Sequence, residues 1–302
     1  MSLYSLWGAL EIGLVFSLVA LGVLITFRIL QFPDLTVDGS FPLGGAVAAT
    51  LIAAKVDPFA ATAAAVAAGA AAGFVTGWLN VRLKIMDLLA SILMMIALYS
   101  INLRIMGKPN VPLITEPTVF TGLPQWLPDY IERPLALLLV VAVVKLLLDA
   151  FFSSEIGLAL RATGANARMA RSQGVSTGAA TLAGMALANA LVAFAGALFA
   201  QSQGGADISM GIGTIVIGLA AVIVGESVLP ARRLVWMTLA VVLGAVLYRF
   251  FIALALNSDF IGLQAQDLNL VTAVLVALAL VLPRWKRQFS QRRLRAARKA
   301  GG

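Results

Sequence analysis

The sequence contains no cysteine and no histidine among its 302 residues. Thiol nucleophiles, disulfides, metal sites built on Cys or His, and acid–base chemistry by imidazole are therefore excluded. The sequence therefore lacks residues on which many enzyme mechanisms depend. We expect no catalytic residues, no metal and no other cofactor.

Charged residues are also scarce, at 12% of the chain, whereas hydrophobic residues make up 61%. The mean hydropathy of +0.96 lies far from that of a soluble domain. Apolar runs of about 20 residues recur along the sequence, and a helix of that length crosses the roughly 30 Å hydrocarbon core of a bilayer. Because unpaired backbone groups cannot face lipid, these runs predict an all-α polytopic membrane protein.

We predict eight or nine transmembrane helices, of which the second is short. The predicted spans cover residues 9–30, 42–54, 59–80, 86–106, 134–152, 180–203, 212–229, 234–256 and 267–283. Lysine and arginine cluster in connections that alternate onto one side, and the positive-inside rule assigns that side to the cytoplasm. The N-terminus, residues 107–133 and residues 257–266 then face outwards. The transmembrane domain is expected to cover residues 1–283.

The net charge of +8 is concentrated at the C-terminus, where eight basic residues lie between Arg284 and Lys299. A basic segment directly after a span is more often an orientation signal than a nucleic-acid site. We therefore predict that residues 284–302 form a basic cytoplasmic tail, that membrane lipid is a partner, and that nucleic acid is not.

The outer connection at residues 107–133 is crowded with proline. Six of the chain's eleven prolines lie between residues 109 and 134, which excludes a continuous helix there. Two interpretations remain open: a plain connector, or a surface that docks an external partner.

Two stretches interrupt the apolar runs with residues that break helices. They are "FPDLTVDGSFPLGG" at 32–45 and "QSQGGADISMGIG" at 201–213. Each follows an apolar span and precedes a Gly-rich short helix, and in the predicted topology the first turns near the inner side and the second near the outer side. This relation predicts an inverted repeat whose broken helices line a central pathway.

The polar residues of these breaks have a second interpretation as helix caps, Asp34 and Asp38 for a helix starting near Pro42 and Asp207 for one near Met210. The two roles are compatible, so both stay open. The fourth span adds a weakly polar, polarizable face that suits a flat solute or simply packs in the bundle. The predicted pathway residues are Asp34, Thr36, Asp38, Ser40, Ser91, Met95, Tyr99, Asn102, Ser202, Gln203, Asp207 and Ser209.

The stretch "SEIGLALRATGANARMARSQGVST" at 154–177 places three arginines and three glycines between two apolar spans. Breaks at its glycines leave a short helix over about residues 164–173. Ala165, Met169 and Ala170 recur near helical spacing, with Arg168 and Arg171 on other faces. Taken alone, this is an interfacial helix with its basic residues near lipid headgroups.

The pattern G-x-A-L-R-A in residues 157–162, followed by M-A, resembles the cytoplasmic coupling segment of permeases in ATP-binding-cassette (ABC) importers. The resemblance is to the branched-chain amino acid and sugar class, and most of all to the tryptophan/tyrosine-type permeases. It extends through "FPDLTVDGSFPLGG", "LYSINLRIMGKPN" at 98–110 and "GADISMGIGTIVIGLAAVIVGE" at 205–226. One departure is that residues 157–177 contain no acidic residue, which such segments often carry.

The resemblance implies a permease subunit in the bacterial inner membrane that works as a homodimer with two ATPase subunits and an external substrate-binding protein. The sequence has no G-x-x-x-x-G-K-[ST] phosphate loop, so ATP hydrolysis must come from the separate ATPase. By the resemblance, the coupling segment at 157–177 contacts that ATPase. Its implied contact residues are Leu160, Arg161, Thr163, Gly164, Asn166, Arg168, Met169 and Ala170.

Broken helices and an inverted repeat also fit a self-sufficient secondary transporter, which would need a buried ion or proton site. Lys145 and Asp149 lie four residues apart on one span and are expected to pair with each other. The sequence shows no series of intramembrane carboxylates of the kind that forms a proton relay. We therefore prefer the importer permease for a small organic solute, an amino acid or a similar flat molecule.

Overall fold

A computed structural model describes residues 3–121, 128–231, 233–256 and Val274. Ten α-helices lie in these ranges: α1 (Leu3–Val23), α2 (Val37–Ala53), α3 (Pro58–Val81), α4 (Asp87–Met106), α5 (Asp129–Ser153), α6 (Glu155–Ala165), α7 (Ala167–Ser172), α8 (Thr177–Ser202), α9 (Thr214–Val228) and α10 (Leu234–Leu256). A π-helical segment, Leu24–Leu30, continues α1. The 3-10 helix Ile208–Gly211 precedes α9.

Seven helical segments of the described chain are long and apolar enough to cross a membrane, and α2 is a shorter apolar helix. The prediction of an all-α, multi-pass membrane protein is therefore confirmed. The predicted span 267–283, the connection 257–266 and the tail 284–302 lie outside the described residues, apart from Val274. The total of eight or nine spans and the inverted repeat stay predictions.

The centre of the bundle is built from α1, α2, α3 and α8, which pack closely because small residues line their contacts. A Cβ added to Gly73 of α3 would lie 2.1 Å from the Met185 oxygen of α8, and one added to Gly44 of α2 would lie 1.9 Å from the Ala193 oxygen. These backbones touch directly. The first break is therefore held rigidly between its neighbours.

α2 begins inside this bundle, because Ser40 in its first turns lies opposite Asn189, which is halfway along α8. The predicted start near Pro42 is wrong: the helix starts at Val37 and Pro42 lies within it. Hydrogen bonds from the Gly39 and Ser40 N–H groups to the Thr36 oxygen, at 2.9 and 2.8 Å, form the first turn ahead of the proline.

A two-stranded antiparallel sheet joins the loops that follow α4 and α8. Strand β1 (Asn110–Pro112) pairs with β2 (Gly205–Asp207), with Asn110 opposite Asp207. The prediction of no continuous helix between α4 and α5 is confirmed for the described part of that loop. The sheet itself was not predicted, since strands of three residues leave almost no periodic signal.

α5 begins at Asp129, five residues before the predicted span 134–152, and Pro134 lies in its second turn. On the same helix, Lys145 Nζ lies 2.6 Å from the Asp149 carboxylate. The predicted pairing of these two residues is therefore confirmed.

Candidate functional site

The first break contains a closed network of buried polar groups. The Asp34 carboxylate accepts hydrogen bonds from the Thr36 N–H at 3.0 Å and from Asn189 Nδ2 at 2.8 Å. The Asn189 side-chain oxygen accepts one from the Ser40 hydroxyl at 2.7 Å. Thr36 also lies 3.0 Å from the Thr76 hydroxyl of α3. The network ties the broken segment to α3 and α8, and all five side chains are fully buried.

Asp38 joins the two breaks to each other. It lies in the first turn of α2, yet its carboxylate accepts hydrogen bonds from the Gly213 and Ile215 N–H groups at 3.3 and 2.7 Å. These groups belong to the start of α9, so the predicted cap of the helix at Pro42 is in fact a cap of α9. The N-terminal ends of two helices therefore meet at one carboxylate, where helix dipoles favour negative charge.

A cavity of about 440 Å³ lies beside this junction. Four predicted pathway residues line it: Asp38, Met95, Tyr99 and Asn102. The remaining walls are Gly39, Pro42, Ile96, Ser100, Ile208 and Ile212. An apolar chamber of this size with a few polar groups is typical of a small-molecule site.

The other predicted pathway residues lie elsewhere. Asp34, Thr36 and Ser40 belong to the buried network, and Ser91 is also fully buried, donating to the Leu88 oxygen at 2.9 Å. Ser202 is the last residue of α8, and Gln203, Asp207 and Ser209 follow it, near the small sheet. None of these eight lines the cavity among the described residues.

Asp207 caps the short helix that follows it, as predicted, by accepting a hydrogen bond from the Ser209 N–H at 2.8 Å. The Ser209 hydroxyl also donates to the carboxylate. These bonds, of which the hydroxyl bond is the strongest influence, lower the pKa of Asp207. Asp207 is only half-buried. This cap is therefore more exposed to solvent than the Asp34 network.

Sequence reasoning missed the two isoleucines of the second break and Asn189. Ile208 and Ile212 form apolar walls of the cavity, which a search for polar pathway residues passes over. Asn189 was missed because it lies inside an otherwise apolar span. A polar amide in the middle of a transmembrane helix is a signal that could have identified it, because such groups need a partner in the bundle.

The predicted coupling segment forms two helices, α6 and α7, that meet at Asn166. The predicted helix over 164–173 differs from this, since Gly157 and Gly164 lie within α6 and do not break it. At the end of α6 the Asn166 N–H donates to the Ala162 oxygen at 3.0 Å. The Asn166 side-chain oxygen caps the start of α7 by accepting the Arg168 and Met169 N–H groups, both at 3.1 Å.

One face of this segment packs against the bundle and the other is exposed. Leu160, Thr163 and Ala170 are buried. A Cβ on Gly164 would lie 1.7 Å from the Ile29 oxygen of the π-helical segment, so this glycine lets two backbones touch. Four of the predicted contact residues are exposed, Arg161, Asn166, Arg168 and Met169, and Met169 is 63% exposed.

Residues 6–282 match the model of a family described as the permease component of branched-chain amino acid transport systems. The chain belongs to this family. It is 38% identical over 264 residues, 87% of this chain and 86% of the relative, to the "Tyrosine transport system permease protein" of Clostridioides difficile (strain R20291). It is 34% identical over 224 residues, 73% and 76% of the two chains, to "Uncharacterized protein RP368" of Rickettsia prowazekii (strain Madrid E). No solved structure matches the chain.

The resemblance drawn from the sequence motifs is thereby confirmed. Both breaks, the cavity residues and the α6–α7 segment fall within the matched range of this permease family. The described geometry is therefore that of a transport permease component.

The Asp34 network provides a test of how the first break is held. In an Asp34→Asn variant one of the two side-chain oxygens becomes an NH₂ group, which would face either the Thr36 N–H or the Asn189 amide. A buried donor without an acceptor costs about 1–3 kcal/mol, so we expect a clearly lower melting temperature in detergent.

Asp207→Asn is the matched control, because it makes the same change at a half-buried cap where asparagine serves almost equally well. Its melting temperature should stay near that of the wild type. Equal melting temperatures for the two variants would show that the buried network does not hold the break.

Proposed function

We propose that this chain is the transmembrane subunit of an ABC importer in the bacterial inner membrane, working as a homodimer. Two copies form the pathway for an amino acid with a flat side chain, two separate ATPase subunits bind the α6–α7 segments, and an external binding protein delivers the solute. The observation that carries this proposal is the cavity at the junction of the two breaks, in a chain that matches a transport permease family along nearly its whole length.

The cavity supports a pathway that is shared between two copies. Five of its described lining residues belong to α4. This helix also carries exposed apolar side chains: Leu93 is 45% exposed, Ile96 60% and Tyr99 56%. Asp38 and Asn102 line the same cavity. Polar groups at membrane depth are tolerated where protein or water covers them, and a second copy packed on α4 would supply that cover. A two-fold dimer is the simplest closed arrangement.

The α6–α7 segment supports coupling to an ATPase. Its residues Arg161, Arg168 and Met169 are exposed, while its other face rests on the π-helical segment through Gly164 and Ile29. That segment leads directly into the first break. A displacement of α6 would therefore be transmitted to Asp34 and α2 through closely packed backbone, because rigid elements transmit such motions.

The substrate class follows from the cavity walls. Met95, Tyr99, Ile208 and Ile212 supply polarizable and apolar surface that suits a flat side chain. The relative from Clostridioides difficile carries a name that includes tyrosine transport. We therefore propose an aromatic amino acid as the solute.

The ATPase contact can be tested by placing a charge on its exposed apolar residue. Met169→Glu should weaken copurification of the ATPase by roughly tenfold or more, because a desolvated unpaired charge at an interface costs about 2–5 kcal/mol. The permease should keep its melting temperature, since this side chain is largely exposed.

Ile114→Glu serves as the control, because Ile114 is 86% exposed in the loop after β1, at the opposite end of the bundle from α7. This variant should copurify with the ATPase like the wild type. Equal copurification of the two variants would contradict the assignment of α6–α7 as the coupling segment.

The dimer can be tested by cross-linking, because the chain has no cysteine of its own. A single Tyr99→Cys substitution should give a covalent dimer with a short bismaleimide linker in native membranes. Leu139→Cys should not, since Leu139 is accessible at 67% exposed but lies on α5, which packs against α1, α6 and α10. Dimers through Leu139 and none through Tyr99 would place the interface elsewhere.

A further inference from the structure

Asn102 carries a buried acceptor that no described residue satisfies. Its side chain is fully buried on α4 and lines the cavity. The NH₂ group donates to the Gly39 oxygen at 3.1 Å, but the side-chain oxygen accepts no hydrogen bond from any described group. Leaving such a group unpaired is unfavourable, and a leucine would fill the same space without that penalty.

The orientation of this amide is fixed by chemistry. The Gly39 carbonyl oxygen can only accept a hydrogen bond, so the group that faces it must be the NH₂ of Asn102. The side-chain oxygen of Asn102 is therefore the end of the amide that has no hydrogen-bond partner among the described residues. Gly39 packs tightly at this point, since a Cβ there would lie 2.9 Å from two side-chain atoms of Leu98.

The described lining of the cavity also contains a negatively charged residue and no positively charged one. Asp38 lines it, whereas none of its described lining residues is lysine or arginine. The Asp38 carboxylate receives one hydrogen bond on each oxygen from the start of α9. A carboxylate has about four lone-pair sites, so each oxygen can still accept another donor. Asp38 and Asn102 both line this cavity.

We infer that Asn102 is a specificity-determining residue whose side-chain oxygen accepts a hydrogen bond from the ammonium group of the solute, with Asp38 supplying the opposite charge. The flat side chain of the solute lies on the apolar walls, and its carboxylate has no cationic partner in this cavity. The pathway thus selects for a solute in which a positively charged group is joined to an apolar side chain. This inference rests on the proposed function, because it assigns the ligand chemistry of the same cavity.

The test uses the permease–ATPase complex in lipid nanodiscs without the binding protein, so that the selectivity measured is that of the permease. Equilibrium binding of radiolabelled L-tyrosine is competed with tyramine, which keeps the ammonium group and lacks the carboxylate. A parallel competition uses 3-(4-hydroxyphenyl)propionate, which keeps the carboxylate and lacks the ammonium group. We expect tyramine to compete and the propionate not to compete. Equal competition by both compounds would overturn the inference.

The variant arm compares Asn102→Leu with Thr50→Val. Thr50 also bonds α2 to α4, through its hydroxyl and the Ile105 oxygen at 3.4 Å, but it does not line the cavity. Asn102→Leu should weaken tyrosine and tyramine binding roughly tenfold, as expected for loss of a hydrogen bond to a charged group, and Thr50→Val should leave both unchanged.

Equal binding by the two variants would show that the Asn102 oxygen does not contact the solute. A fall in the yield of dimer for Asn102→Leu with unchanged binding would assign the oxygen to the second copy instead, which also overturns the inference. Failure of the wild-type complex to bind tyrosine at all in nanodiscs would overturn the inference. Failure of proteoliposomes that contain the permease and its ATPase to take up tyrosine from the binding protein would overturn the proposed function, and this outcome is distinct because it needs no competitor and no substitution.

Discussion

Two helices of this protein begin inside an apolar bundle, and the rest of the arrangement depends on satisfying the polar groups at those two beginnings. Backbone N–H groups at a helix start have no partner within the helix, and lipid offers none. The Asp34 carboxylate, which Asn189 holds in place, accepts the Thr36 N–H in the turn before α2, and Asp38 accepts N–H groups at the start of α9. Because one carboxylate serves a helix about 175 residues away, the two breaks cannot move independently. The cavity exists at the place where they meet.

The same constraint explains how a surface segment can act on a central cavity. α6 touches the π-helical segment at Ile29, and that segment ends at Leu30, a few residues before the Asp34 network. Arg28 in the segment is paired with Glu226 of α9 at 2.8 Å. A π-helix of seven residues is unusual and is often found at functional sites. The segment therefore contacts α6 and α9 and leads into α2, the elements that a transport cycle would have to move together.

Sequence reasoning located the apolar spans and both breaks, and it selected Met95, Tyr99 and Asn102 together with Asp38. It could do so because local composition, and the positions of proline and glycine, are signals that can be read within a short stretch of sequence. It assigned Asp38 to the wrong helix, since its partners Gly213 and Ile215 are remote in sequence and capping patterns are local. It also placed a break at Gly164, where glycine in fact permits close packing, while the true boundary is capped by Asn166. These differences share one cause: a residue's contacts across the bundle decide which of its local roles is used.

The central claim is that ATP hydrolysis by a partner drives solute movement through this chain. The most direct measurement is uptake of radiolabelled L-tyrosine into proteoliposomes that contain the permease and its ATPase, with the binding protein outside and ATP enclosed within. The account predicts uptake that requires enclosed ATP, stops when a non-hydrolysable analogue replaces it, and persists when ionophores collapse proton and sodium gradients. Uptake that proceeds without ATP and follows an imposed ion gradient would contradict the account and identify a secondary transporter.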